Sequence, residues 1–178
     1  MKSIVYIIWG FAIVLALVAG WIDWRSHRLP NWLTVPGFAI GLIANTAFFG
    51  WAGVKTALLG AGIPMAVLLP VVLLHGLGAG DWKLMAALGA IVGREEILNV
   101  LVVTIIFAGL IALGQMIRQK RVFVTLRNLW ELVRGFFVFG LKPNPEFNLD
   151  NAGASTLPFG VAAAAATLLC WGAVIAGI

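Results

Sequence analysis

The sequence predicts an all-α, polytopic membrane protein of six transmembrane helices, the fourth of them short, with an amphipathic helix on its cytoplasmic surface. Three observations predict it. First, 62% of the 178 residues are apolar and 11% are charged, against about 45–50% and 25% in soluble domains, and mean hydropathy is +1.03. Second, uncharged runs of bilayer-crossing length recur along the chain. Third, the 12 Lys and Arg residues concentrate in alternate gaps between those runs, as the positive-inside rule requires. The same composition excludes an ordinary soluble domain, a disordered tail and a nucleic-acid-binding module, because the basic residues form no dense patch. The single Cys170 excludes a disulfide framework and a Cys-based zinc site. The length suits one domain, residues 1–178.

The first run, residues 3–22, has 20 residues and follows Lys2. It lacks a small-residue cleavage site before Trp21, so it reads as a retained helix rather than a removed leader. The second run is 29–54, with a usable helix from about 32 to 50. The third is 56–80 and contains Pro64 and Pro70, which are expected to kink it. The fourth, 84–93, has only 10 residues. With Trp82 and Lys83 it rises only about 18 Å, as a short tilted or a re-entrant helix would. The fifth run is 97–117 and the sixth is 151–178. Together the runs hold 130 of the 178 residues. Trp21, Trp24, Trp32, Trp51, Trp82 and Trp171 stand near run ends, as an aromatic belt does.

Charge parity favours six crossings. The gaps after the first, third and fifth runs would then share one face. They carry Arg25, Arg28, Lys83, Arg118, Lys120, Arg121, Arg127, Arg134 and Lys142. The opposite face keeps Lys2, Lys55 and Arg94. The nine-to-three bias puts the richer face in the cytoplasm and both termini away from it. Residues 118–150 form the long cytoplasmic loop. Lys120, Arg127, Glu131 and Arg134 share one narrow arc at helical spacing, and Val122, Phe123, Leu126, Leu129, Trp130, Val133, Phe136 and Phe137 cover much of the rest. That pattern predicts a helix lying in the interface, ended by Lys142-Pro-Asn-Pro.

Of seven acidic residues, two adjoin membrane helices on the cytoplasmic side: Asp23 after the first and Asp81 before the fourth. Carboxylates at a membrane border are costly, and by default they point to function. Each has a plainer reading: Asp81 as a helix N-cap, Asp23 as an anchor balanced by Arg25 or Arg28. The pair says more than either member. Two carboxyls meeting in a dry site share a proton. The charged one can take a proton from water while the neutral one donates to a carbonyl oxygen. No Gly-x-Ser-x-Gly elbow and no His-x-x-x-His pattern offers another hydrolytic chemistry.

Gly78-Ala79-Gly80-Asp81-Trp82-Lys83-Leu84 resembles the Gly-x-Gly-Asp-x-Lys element of the prepilin peptidases, the intramembrane aspartyl proteases also called type IV leader peptidases. Asp23-Trp24-Arg25-Ser26-His27-Arg28-Leu29-Pro30-Asn31 is similar to their first catalytic element. Leu157-Pro158-Phe159-Gly160 is similar to their Pro-Phe-Gly-Pro stretch, with Val161 in place of the last proline. The resemblance implies that Asp23 and Asp81 are catalytic and that Gly78, Gly80, Lys83, Pro158, Phe159 and Gly160 support them or bind substrate. It implies no metal and no organic cofactor. It implies pilin-like precursor substrates, cut at the cytoplasmic face of the inner membrane, just before a hydrophobic helix. The chain has no Cys-x-x-Cys, so it looks like the short, peptidase-only type.

The remaining polar residues have plainer readings. Lys83 could position substrate or tune the pair, or simply snorkel to the interface. Arg25 and Arg28 read as orientation charges. His75 and Asp150 read as an interfacial and a solvated residue. The two glycines before Asp81 are expected to let substrate backbone approach it. The rival functions are a proton-coupled transporter or channel, with Asp23 and Asp81 as the relay, and a non-enzymatic assembly subunit. Against the relay, both carboxylates lie at one border rather than near the midplane.

Overall fold

A computed structural model describes residues 2–73, 76–118 and 158–177. Every element among them is an α-helix: α1 Lys2–Ser26, α2 Asn31–Leu73, α3 Ala79–Val92, α4 Ile97–Arg118 and α5 Phe159–Ala176. Four of these, all but α3, are long and apolar enough to cross a membrane. The expected interfacial helix in 118–150, with Asp150, lies outside the described residues beyond Arg118, as does His75.

The 43-residue α2 would be about 65 Å long if straight, twice a bilayer core. It is not straight. Gly50 has φ 58° and ψ −137°, a conformation open to glycine and costly for other residues. Here the chain folds back, so that Gly53 packs on the carbonyl of Asn45. The two limbs, residues 31–49 and 51–73, form a hairpin. Both limbs reach the same end of α3. A Cβ on Gly41 would stand 2.7 Å from the Ala90 carbonyl carbon, and one on Gly60 would stand 2.8 Å from the Gly93 carbonyl carbon. In a straight helix Gly41 and Gly60 would be about 28 Å apart. The hairpin therefore matches the second and third predicted segments, and the break falls at Gly50, where the usable second helix is expected to end. The non-helical residue inside α2 is this glycine; Pro36, Pro64 and Pro70 all lie within its helical run. Pro64 lacks the N–H that would bind the Gly60 carbonyl. That carbonyl instead meets the backbone of Gly89 across the interface, where only hydrogen stands on the α-carbon.

Helix α3 is enclosed by its neighbours. Every residue from Leu84 to Ile91 is buried, as expected of a helix apolar on all sides. Enclosure explains how a 14-residue helix is stable here. Its last carbonyls have no partners within the helix. Asn45, 3% exposed, supplies them: its Nδ2 lies 3.0 Å from the Ala90 oxygen, 2.9 Å from the Ile91 oxygen and 3.1 Å from its own Gly41 oxygen. At the start of α3, the Trp82 indole Nε1 donates to the Met65 carbonyl at 2.9 Å. Replacing Asn45 with Leu is expected to lower stability by about 1–3 kcal/mol, because buried carbonyls lose their donor. Thermal unfolding in detergent checks this.

Helices α1 and α5 pack closely along small residues, in the manner of membrane helices. Ala12, Leu15, Ala16 and Ala19 of α1 are buried, as are Ala162, Ala163, Ala164 and Ala166 of α5. Gly20 faces Ala164, where an added Cβ would come within 3.0 Å. The opposite side of α1 (Val14, Leu17, Trp21, Trp24) is exposed. Such a large apolar outer surface is what a lipid-facing bundle shows.

Candidate active site

The buried stripe of α1 repeats at helical spacing through Ala12, Ala16 and Ala19 and reaches Asp23, which is 3% exposed. Helical periodicity therefore turns a carboxylate inward at the last turn of a membrane helix. Below the carboxylate, α1 stops abruptly. The Ser26 hydroxyl donates to the Ile22 carbonyl at 2.8 Å, competing with helix continuation. His27 takes the left-handed region at φ 48°, and its N–H donates to the Asp23 carbonyl at 2.9 Å. Pro30 then restricts Leu29 to extended backbone and opens α2 by accepting from the N–H groups of Leu33 and Thr34.

The Asp23 side chain meets the start of α5. Its Oδ2 accepts from the Gly160 N–H at 2.7 Å, a contact between residues 137 positions apart. Gly160 must be glycine for this approach: a Cβ there would lie 2.9 Å from the Asp23 Cβ and 3.2 Å from the Ala19 oxygen. Pro158 is the N-cap residue of α5 and Phe159 its first residue; both are buried. The Pro158-Phe159-Gly160 stretch thus presents a helix N-terminus to Asp23. Arg25 does not neutralise this carboxylate. It lies over the Trp21 ring, 4.6 Å from the centroid, and among the described residues neither Asp23 nor Asp81 forms an ion pair. That removes the simple-anchor reading of Asp23.

Asp81 sits at the same end of the bundle. It is the third residue of α3, in the first turn, and the N-cap is Gly78. The expectation that Asp81 itself caps the helix is therefore corrected. The helix begins two residues earlier than Asp81 because glycine and alanine there let the backbone coil. The carboxylate folds back over Gly78, whose Cβ, were there one, would stand 3.1 Å from Asp81 Oδ2. Gly80 serves a different contact from the one its spacing suggested. A Cβ on it would stand 2.9 Å from the Leu29 oxygen, so Gly80 lets the chain's own turn after α1 press against α3. This contact brings the Asp23 end of α1 to the Asp81 end of α3. The two carboxylates therefore stand at the same end of the bundle.

Lys83 is exposed and donates from Nζ to Asn31 Oδ1 at 2.9 Å. The Pro-Asn of the first motif and the Lys of the second are thus partners, tying the start of α2 to the start of α3. Asn31 was not singled out from the sequence; its position beside Pro30 was the available signal. Thr34, one turn further on, carries the one buried side-chain oxygen without a partner among the described residues. A cavity of about 490 Å³ opens at the turn between α1 and α2, lined by residues including Ile22, Ser26, Arg28 and Asn31.

This arrangement offers one buried carboxylate held by a backbone N–H and a second, partly buried carboxylate at the same end of the bundle. Comparisons with known proteins agree with it. The model of the type IV leader peptidase family matches residues 10–113. That match takes in both aspartates. A prepilin leader peptidase/N-methyltransferase of Escherichia coli (strain K12) is 33% identical over 123 residues, 65% of this chain and 53% of that protein. One of the same name from Xanthomonas campestris pv. campestris is 40% identical over 106 residues, 53% of this chain and 37% of that protein. The chain thus spans about half or less of the length of these curated relatives. No solved structure matches it. With more than half of its residues matched by the family model, and with that family's motifs gathered at one end of its helix bundle, the chain belongs to the type IV leader peptidase family.

Proposed function

We propose that this chain is an aspartic-type endopeptidase that removes the short basic leader from pilin-like precursors at the cytoplasmic face of the inner membrane. The observation that carries the reading is that α1 brings Asp23, and α3 brings Asp81, to the same end of the bundle, with Asp23 buried against Gly160. One carboxylate takes a proton from water, whose oxygen attacks the scissile carbonyl carbon. The other carboxyl donates its proton to the carbonyl oxygen. Collapse of the tetrahedral intermediate expels the amine, which leaves with the proton taken from water. No covalent enzyme intermediate, metal or organic cofactor enters this scheme. The names of the relatives, prepilin leader peptidase/N-methyltransferase, support the substrate class.

The proposed topology has six crossings, counting both limbs of the α2 hairpin and the enclosed α3. Arg25, Arg28, Lys83 and Arg118 then lie with the aspartates in the cytoplasm, and residues 2 and 177 lie on the other side. The precursor, itself a membrane-inserted helix, arrives laterally from the lipid. The cavity beside Ile22 and Ser26 is the place for its extended segment. Co-expression with a pilin precursor, followed by mass spectrometry of the precursor, tests the reading. The expected result is a product shortened at its N-terminus. An intact precursor beside a correctly inserted wild-type protein would overturn it.

A further inference from the structure

The two carboxyls are held differently, and the difference bears on which one starts with the proton. Asp23 faces the N-terminus of α5 head-on. It accepts from the Gly160 N–H at 2.7 Å. Gly160 is the second residue of α5, and its N–H has no partner four residues back. A helix N-terminus favours negative charge, and both carboxyls stand at one, Asp81 in the first turn of α3; what sets Asp23 apart is the short hydrogen bond from Gly160, which favours its ionised form against the burial that opposes it. Asp81 is reached, among the described residues, by the Gly78 backbone alone, and it lies in the field of Asp23.

We infer that the first turn of α5 keeps Asp23 ionised, so that Asp23 is the general base and Asp81, holding the shared proton, is the general acid. The inference rests on the endopeptidase reading above and assigns the roles within it. Water gives its proton to Asp23, and its oxygen bonds to the scissile carbon. Asp81 gives its proton to the carbonyl oxygen. On collapse the C–N bond breaks and the amine leaves with the proton from Asp23, while one diol hydroxyl gives its proton to Asp81 as its oxygen re-forms the C=O double bond. Both carboxyls return to their starting state. Gly160 is a positioning residue here: it acts on substrate only through Asp23. Among the described residues, the charged and titratable groups facing Asp23 are Asp81 from α3 and His27 just beyond the end of α1. Helix α5 contributes no acidic or basic side chain over Phe159–Ala176, and the one charged residue of α2, Lys55, is far along the second limb of its hairpin.

The chain contains three aspartates, Asp23, Asp81 and Asp150, so carboxyl-¹³C labelling of aspartate gives three signals. Asp23→Asn, Asp81→Asn and Asp150→Asn assign them. Titration of the full chain in lipid nanodiscs is expected to show Asp23 losing its proton at lower pH than Asp81. A backbone ester at Gly160 removes the N–H without adding an atom to the side chain, and is expected to raise the Asp23 midpoint by about one to two pH units. A merely packing role for the first turn of α5 would leave the midpoint in place. Ionisation of Asp81 before Asp23 in the wild-type protein overturns the assignment, as does an Asp23 midpoint unmoved by the ester. The same wild-type sample is assayed for precursor cleavage. Loss of cleavage with the expected titration order would count against the endopeptidase reading alone; a reversed order with normal cleavage would count against the role assignment alone.

Discussion

Asp23→Asn and Asp81→Asn are each expected to lower precursor cleavage by about a thousand-fold or more while the protein remains folded in the membrane. The magnitude follows from general acid–base catalysis, in which a positioned proton acceptor or donor contributes about 10²–10⁴ in rate. Asparagine keeps the size and an acceptor oxygen, so the Gly160 N–H at 2.7 Å from Asp23 keeps a partner. It cannot take up or release a proton at working pH. The loss should therefore appear as a slower cleavage step with membrane content and helicity unchanged. The check is quantitative mass spectrometry of a co-expressed precursor, with circular dichroism of the purified variants. Normal processing by either variant would remove that aspartate from the chemistry.

The second large effect is expected at Gly160. Valine there drives a branched Cβ to within 2.9 Å of the Asp23 Cβ and 3.2 Å of the Ala19 oxygen. Neither neighbour is the free end of a flexible chain. The first is the base of a side chain fixed on a packed helix, and the second is backbone. Overpacking of this kind costs about 1–3 kcal/mol, and relief requires α5 to back away from α1. The N–H then leaves Asp23, so activity falls as well as stability. Gly172→Ala in the same helix is the matched control. Nothing lies within 4 Å of a Cβ added at Gly172, and alanine is the better helix former, so stability should hold or rise. Unfolding temperatures and cleavage rates for the two variants test the contrast. A tolerated Gly160→Val would show that the approach of α5 to Asp23 is not needed.

Local periodicity made much of this molecule legible. The i, i+4 repeat of small residues in α1 ends on Asp23, and a carboxylate in register with a buried stripe is readable from sequence alone. The apolar runs predicted α4 closely, because the length of an uncharged run maps directly onto a span, and α5 falls within the run 151–178, whose residues 151–157 lie outside the described ones. Contacts between distant residues were not legible. The pairing of Asp23 with Gly160 crosses 137 positions, and no periodicity encodes it. Gly80 looked like room for a substrate backbone, yet Leu29 occupies that room, because what fills a glycine notch is decided by packing. The uncharged runs divide at Lys55, but the usable second helix is expected to end at about residue 50, and the positive φ of Gly50 makes the turn there. Asn45, a lone amide within an apolar run, was passed over. A polar side chain deep in a membrane segment signals function or unmet backbone groups, and here it meets the carbonyls that end α3.

The central claim is that the carboxylates of α1 and α3 meet at one end of the bundle, and proximity tests it most directly. A double variant, Asp23→Cys with Asp81→Cys, made in a Cys170→Ser background, leaves two thiols in the chain. In native membranes these are treated with a short bifunctional thiol reagent. Each single-cysteine variant, treated with a monofunctional reagent, shows that its site can be reached. The account predicts an intramolecular cross-link in the double variant, read as a peptide joining α1 to α3. Two reactive thiols that never become joined would contradict it.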